Sequence, residues 1–113
     1  MNHKDMDVWM KSMDLAEKIY TLSNEFPKEE MYGLKNQIRR ASVSIPSNIA
    51  EGMGRQYKKD TIQFLCISRG STYELETHLI IALNIGIIKE KDFNEIMPLI
   101  EKSLQVLNGL INY

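Results

Sequence analysis

Apolar residues recur every three or four positions along most of this chain, which is the spacing of α-helices that each bury one face. The pattern is clearest between residues 31 and 49, where six apolar side chains fall within one narrow sector of a helical wheel: Met31, Leu34, Ile38, Ala41, Ile45 and Ile49. Four segments with this spacing predict an all-α fold. We expect an antiparallel up-and-down four-helix bundle, formed by a single domain over residues 1–113.

Prolines set or disturb the boundaries of the first two predicted helices. The first helix covers about residues 6–23 and ends before Pro27, because proline disfavours a helical conformation at the residue that precedes it. The second begins near residues 28–30 and continues to about residue 54. It contains Pro46, which removes a backbone hydrogen bond and clashes with the carbonyl of Ser42. We therefore expect a kink near Pro46 and not a helix end.

The third predicted helix, over about residues 59–85, is apolar on more than one side. Its apolar residues form three stripes: Phe64, Leu75, Leu79 and Ala82; Ile62, Cys66, Tyr73 and Ile80; and Ile67, Ile81 and Ile85. A helix of this kind must be covered on several faces, either by another subunit or by a central position within a monomer. The favoured explanation is a homo-oligomer in which Gly70 lets another backbone approach closely. The predicted oligomer interface consists of Ile62, Cys66, Gly70, Tyr73 and Ile80.

The fourth predicted helix follows Gly86, a residue suited to a helix C-terminal cap. Apolar positions between Phe93 and Ile111 recur at close to a heptad spacing, which is typical of left-handed bundle packing. Pro98 lies inside this pattern, so the helix either starts late or bends there.

A row of polar residues runs beside the apolar stripe of the second helix. Together with Glu74 of the third helix it forms a predicted structural network: Gln37, Arg40, Ser44, Asn48, Glu51 and Glu74. A polar row beside the core, instead of opposite it, indicates half-buried groups at a helix or subunit seam, where hydrogen bonds must be satisfied. Arg40 would then pair with Glu51, Glu74 or Glu76. The alternative is a flank exposed to solvent.

Basic residues are concentrated in one part of a chain whose net charge is only −1. Six of them, with a single acidic residue, lie between positions 35 and 59: Lys35, Arg39, Arg40, Arg55, Lys58 and Lys59, with Glu51. The segment therefore carries +5 and the remainder of the chain −6. Such a cluster can contact phosphates, and a ring of subunits would multiply it. An alternative function is thus RNA or DNA binding, through backbone contacts of Lys35, Arg39, Arg55, Lys58 and Lys59.

No motif in the sequence carries enzymatic chemistry. Metal-ligand spacings around the histidines, glycine-rich phosphate loops and nucleophile elbows are all missing, so we expect no catalytic residue, metal or cofactor. An enzyme would need Glu51, Arg69, Glu74, Glu76 and His78 to converge in one pocket. A single cysteine, a start unlike a signal peptide and the lack of a long apolar run predict a cytoplasmic protein without a membrane partner.

Several blocks of sequence resemble a known family. They are Val-Trp at 8–9, Ile-Tyr at 19–20, Phe-Pro at 26–27, Tyr-Gly-Leu at 32–34, Gln-Ile-Arg-Arg-Ala-Ser-Val-Ser-Ile-Pro-Ser-Asn-Ile-Ala-Glu-Gly at 37–52, and Gly-Ser-x-x-Glu-Leu-Glu at 70–76. Over almost its whole length the chain resembles the 23S ribosomal RNA intervening-sequence proteins. These are small four-helix-bundle proteins encoded within intervening sequences of bacterial 23S rRNA genes or elsewhere in genomes.

The resemblance implies an assembly and two kinds of partner. The family is similar in fold to the accessory variability determinant of diversity-generating retroelements, and these relatives form pentameric barrels. The resemblance therefore implies a homopentamer without an established catalytic role. The retroelement protein binds nucleic acid and a reverse transcriptase, so RNA, DNA or a protein partner is implied. We expect a non-enzymatic oligomer with a scaffold or protein-interaction role, the alternative being the nucleic-acid-binding accessory protein described above.

Overall fold

The computed structural model of the protein describes residues 2–30 and 33–113. The described residues form four α-helices: α1 (Asp7–Ser23), α2 (Leu34–Met53), α3 (Lys58–Asn84) and α4 (Glu90–Ile111). Helices α1 and α3 each pack against both α2 and α4, and the connections from α2 to α3 and from α3 to α4 are four and five residues long. Short connections between neighbouring helices are typical of an antiparallel bundle. The predicted all-α four-helix bundle is confirmed, with overall dimensions of 43 × 24 × 20 Å.

The core lies along the axis of the bundle and receives side chains from all four helices. Those on α2 are the ones predicted from the periodicity, since Ile38, Ala41, Ile45 and Ile49 are buried and Leu34 packs against them. Met31, the first member of the predicted stripe, lies outside the described residues. The largest fully buried apolar side chains are Leu15, Ile19, Ile38, Ile45, Ile49, Leu75, Leu79, Ile100 and Leu107.

The start of the second helix differs from the prediction. Lys28–Glu30 form a separate 3₁₀ turn, and α2 begins only at Leu34. Gly33 precedes it with φ −104° and ψ −116°, which is not a helical conformation. Glycine has the highest entropic cost of any residue in a helix, so a break at this position is physically reasonable. The acidic residues that suit a helix N-terminus here belong to the short turn instead.

Both internal prolines lie inside continuous helices. Helix α2 continues through Pro46, as predicted, and the kink angle there stays a prediction. The Ser68 hydroxyl on α3 donates a hydrogen bond of 2.8 Å to the carbonyl of Ile45, next to the point where proline interrupts the backbone ladder. Helix α4 begins at Glu90, before Pro98, so the late start considered for this helix is wrong.

Helix α3 is covered on one side only. Its buried residues include Leu75 and Leu79 from the first predicted stripe, and both are fully buried. The other two stripes retain large exposed members, between 40% and 59% accessible: Ile67, Tyr73, Ile80, Ile81 and Ile85. A central position within a monomer, the alternative explanation for this helix, is therefore wrong.

Candidate interaction surfaces

The outward side of α3 carries most of the exposed apolar surface of this helix. The predicted interface residues fall within about 80° of the helix circumference, since each residue advances about 100°. We define the α3 outward face as these residues and the two isoleucines beside them: Ile62, Cys66, Ile67, Gly70, Tyr73, Ile80 and Ile81. Apart from its chain neighbours and the adjoining backbone of α3, no described atom lies within 4 Å of the position that a Cβ on Gly70 would occupy. The face is about 28 Å long, and the open space beside Gly70 lies near its middle.

Arg69, at the edge of the α3 outward face, links α3 to α4. Its Nη1 donates a hydrogen bond of 2.9 Å to Oδ1 of Asn108, and its Nη2 lies 4.0 Å from Sγ of Cys66. The guanidinium is thus held at the α3–α4 seam, and the outward face itself stays free of basic side chains.

Among the described residues, Ser44 and Asn48 are the members of the predicted polar network that hydrogen-bond to each other, whereas Gln37 is exposed. The hydroxyl oxygens of Ser44 and Ser71 share a hydrogen bond of 2.8 Å between α2 and α3. The side-chain amide of Asn48 donates to the hydroxyl and to the carbonyl of Ser44, at 2.9 and 2.8 Å. These groups are buried or half-buried, as the seam hypothesis requires. They link α2 to α3 near the middle of the bundle.

The charged members of the network are exposed to solvent. Glu51 pairs with Arg55 one turn further along, and Arg40 forms no ion pair or hydrogen bond within residues 2–30 and 33–113. The expected pairing of Arg40 with Glu51, Glu74 or Glu76 is therefore wrong. Arg40 instead borders an open cleft of about 330 Å³ between α2 and α3, lined by Gln37, Arg40, Ala41, Ser44, Ser71 and Glu74.

The basic cluster of the sequence is divided into two groups in space. Lys35 and Arg39 lie in the first two turns of α2, whereas Arg55, Lys58 and Lys59 follow its last turn or begin α3. From Arg39 to the end of α2 the helix rises about 20 Å. The five predicted nucleic-acid-binding residues therefore do not form one continuous patch on a subunit.

Arg39 is engaged in joining α2 to the end of α1. Its Nε donates to the Ser23 hydroxyl at 2.7 Å, and its Nη2 donates to Asn24 Oδ1 at 2.7 Å and to the Tyr20 carbonyl at 3.2 Å. Its Cζ also lies 4.5 Å from the centroid of the Tyr20 ring. A guanidinium held by these acceptors satisfies C-terminal groups of α1, which leaves it few donors for a phosphate.

The second basic group includes an exposed tyrosine and lies between the end of α2 and the first turn of α3. We define it as the basic corner: Arg55, Tyr57, Lys58 and Lys59. Tyr57 is 64% exposed. The Cζ of Arg55 lies 4.6 Å from the centroid of Phe64, and the Lys58 amine lies 5.8 Å from the centroid of Tyr113. The Lys59 side chain is exposed and has no ion pair or hydrogen bond to any residue that the structure describes.

A second apolar surface lies between α1 and α2, and the periodicity of the sequence did not predict it. We define the α1–α2 groove by residues from both helices: Trp9, Met13 and Tyr20 of α1, and Val43, Pro46 and Ala50 of α2. Its volume is about 720 Å³. Tyr20 and Val43 are 42% and 41% exposed. The spacing of Val43, Pro46 and Ala50 on α2 is the only sequence signal that indicates one wall of this groove.

Residues 4–109 match the model of a family described as 23S rRNA-intervening sequence protein. The chain belongs to this family. The fold is also similar to a crystal structure from Bacteroides thetaiotaomicron, described as a protein of unknown function from the S23 ribosomal protein family. The TM-score is 0.88 at 24% identity, over 94% of this chain and 99% of the other. A search of curated proteins found no match.

In this intervening-sequence family member, three of the residues considered for an enzyme have different surroundings. Arg69 reaches α4, Glu51 pairs with Arg55, and Glu74 borders the α2–α3 cleft. The Nδ1 atom of His78 is buried without a hydrogen-bond partner among the described residues. Within residues 2–30 and 33–113 no group of His, Cys, Asp and Glu is placed to hold a metal ion.

No helix within the described ranges is both long enough and apolar enough to cross a membrane.

Proposed function

We propose that this member of the 23S rRNA-intervening sequence family is a non-enzymatic homo-oligomer with a scaffold or protein-interaction role. The observation that carries the proposal is the α3 outward face, where Ile67, Tyr73, Ile80 and Ile81 stay 40–47% exposed along one helix. Isolated apolar residues on a surface are ordinary, but several large ones on one side of a single helix favour an interaction site.

The size of the apolar contribution supports assembly through this face. Fully burying a large apolar side chain contributes about 1.5–3 kcal/mol, so covering the exposed part of each of the four contributes about 1 kcal/mol. Burial of one α3 outward face thus contributes about 4 kcal/mol to the free energy of association, and burial of the second subunit's surface adds its own contribution. Association costs at least about 4 kcal/mol in lost translational and rotational freedom, so a stable assembly needs both contributions.

The mass of the protein in solution tests the proposal. Light scattering at micromolar concentration is expected to give a multiple of the 13.1 kDa subunit, and about 65 kDa for the pentamer that the family resemblance implies. Tyr73→Arg places a charge in the α3 outward face and should reduce the mass to that of a monomer. Gln105→Arg, which makes a similar change at an exposed position of α4, is the matched control. A monomeric wild-type protein would refute the proposal.

A second candidate function is nucleic-acid binding at the basic corner. The observation that favours it is the combination of the exposed Tyr57 ring with Lys58 and Lys59 at one corner of the bundle. An aromatic ring beside basic side chains can stack on a base while the amines contact the backbone. Arg39 is omitted from this site, because it is engaged with α1.

A further inference from the structure

The α2–α3 cleft brings together two opposite charges that have no partner. Arg40 lines the cleft from α2, and Glu74 lines it from α3. The two side chains form no ion pair with each other, and neither forms an ion pair or hydrogen bond with any other residue that the structure describes. A cation and an anion therefore face the same cleft from its two walls, and the binding capacity of both is unused.

Two serine hydroxyls add a further hydrogen-bond donor to the cleft. The oxygens of Ser44 and Ser71 share one hydrogen bond of 2.8 Å, so only one of their two hydroxyl protons is used in it. The Ser44 oxygen also accepts a bond of 2.9 Å from Asn48, which uses no hydroxyl proton. One hydroxyl proton thus lacks an acceptor among the described residues, although Ser71 is only 8% exposed. A buried donor of this kind favours an acceptor atom in the cleft.

The polar groups of the cleft are complementary to a carboxylate and an ammonium. The Arg40 guanidinium presents parallel N–H donors, which match the two oxygens of a carboxylate. The free hydroxyl proton of the serine pair is one more donor for the same kind of group. Glu74 can only accept hydrogen bonds when ionised, so it suits an ammonium. A molecule with both groups would satisfy both walls at once.

The size and lining of the cleft limit the ligand to a small polar molecule. Its volume of about 330 Å³ is at the lower end of the range for ligand sites, which is about 300–1,000 Å³. Ala41 is the one apolar residue of its lining, whereas sites for apolar ligands are lined mainly by hydrophobic and aromatic side chains. A phosphate ion or a nucleic-acid backbone would be repelled by the Glu74 carboxylate.

We propose that the α2–α3 cleft binds a free amino acid, with the carboxylate of the ligand on Arg40 and its ammonium on Glu74. This inference goes beyond the proposed oligomeric function, because it depends on charged groups at the α2–α3 seam and not on the apolar residues of the α3 outward face.

Isothermal titration calorimetry tests the proposal with each of the twenty protein amino acids in turn. We expect at least one of them to bind saturably, with one site per subunit. Two analogues of that amino acid then test its two charged groups, namely the amine that lacks the carboxylate and the acid that lacks the ammonium. Each analogue should bind at least about tenfold more weakly, since it leaves one charged residue of the cleft without its partner.

Conservative variants assign the binding to the cleft. Arg40→Lys keeps the positive charge but loses the parallel N–H donors, and Glu74→Gln removes the negative charge with little change of shape. Each should weaken binding by about tenfold. Arg55→Lys and Glu95→Gln make the same changes at exposed positions outside the cleft and should leave the affinity unchanged. Arg40 and Glu74 are exposed, so their variants should fold normally, which far-UV circular dichroism checks.

Three outcomes would overturn the inference. If no amino acid binds saturably to the wild-type protein, the cleft is not a site of this kind, as is expected if Arg40 and Glu74 pair with each other in solution. If the acid without the ammonium binds as tightly as the amino acid, Glu74 does not contact the ligand. If an amino acid binds but Arg40→Lys and Glu74→Gln keep the wild-type affinity, the site lies elsewhere on the molecule.

Discussion

Two adjacent arginines show how differently neighbouring residues act in this bundle. Arg39 donates hydrogen bonds to Ser23, Asn24 and the Tyr20 carbonyl, whereas Arg40, about 100° further around α2, is exposed and unpaired within the described residues. Arg39→Ala should lower the free energy of unfolding by about 1–2 kcal/mol, because it removes charge-assisted hydrogen bonds that are only partly buried. Urea unfolding at a fixed protein concentration measures this, since assembly makes stability depend on concentration.

Arg40→Ala is the matched control for Arg39→Ala. An exposed side chain without a partner should change the free energy of unfolding by no more than about 0.5 kcal/mol. Equal losses for the two variants would mean that the bonds of Arg39 to α1 contribute nothing measurable. A larger loss for Arg40→Ala would restore the buried, paired role that the polar row of the sequence predicted for it.

The partners of these arginines could not be predicted from local sequence. A helical wheel places Arg40 in the polar row of α2, but it does not show where α1 ends in space. Ser23 and Asn24 lie about 15 residues away in the chain and reach Arg39 only after the two helices have packed. Periodicity assigns a residue to a side of its own helix, and its hydrogen bonds depend on the neighbouring helix.

At the scale of the helices, the approach of α2 to α3 depends on Gly52. A Cβ at this position would lie 2.9 Å from the Cβ of Phe64 and 3.1 Å from the Thr61 carbonyl oxygen. The Thr61 hydroxyl also donates a 2.8 Å hydrogen bond to the Gly52 carbonyl. Gly52→Ala should therefore force the helices apart and lower the free energy of unfolding by about 1–3 kcal/mol, which thermal unfolding would detect as a lower Tm.

Gly109→Ala supplies the contrast for Gly52→Ala. It lies inside α4, and apart from its chain neighbours and the adjoining helix backbone no described atom lies within 4 Å of the position a Cβ would take, so the substitution should raise stability by up to about 1 kcal/mol through helix propensity alone. If both variants raise the Tm, the close approach at Gly52 does not restrict the packing of α2 against α3.

The helices and the α3 outward face were predictable, but the α1–α2 groove was not. The stripe from Ile38 to Ile49 is a property of one helix, and periodicity predicted its burial. The exposed rows of α3 are also a property of one helix. The groove combines Trp9 and Tyr20 with Val43, and no pattern within either helix shows that they meet. The predicted start of α2 was wrong, because acidic residues suited to a helix N-terminus also occur in a 3₁₀ turn.

At the scale of the whole molecule, the division of the basic residues changes how RNA binding should be tested. The basic corner combines two lysines that form no ion pair with described residues and an exposed ring, so Lys58→Glu with Lys59→Glu is the informative double variant. If the corner binds a structured RNA, two phosphate contacts per subunit should make log K fall with log salt at a slope near −2. The double variant should then lose at least about tenfold in affinity, since it reverses both contacts.

A matched double variant separates the basic corner from the overall charge of the protein. Lys89→Glu with Lys91→Glu makes the same charge change at exposed positions around the start of α4. If only net charge attracts RNA, the two double variants will weaken binding equally, and the corner is not a site. If only the Lys58 and Lys59 variant loses affinity, the corner carries the contact. If wild-type protein takes up no RNA even at low salt, the nucleic-acid function is refuted and the oligomeric scaffold remains, because its apolar α3 outward face does not depend on these lysines.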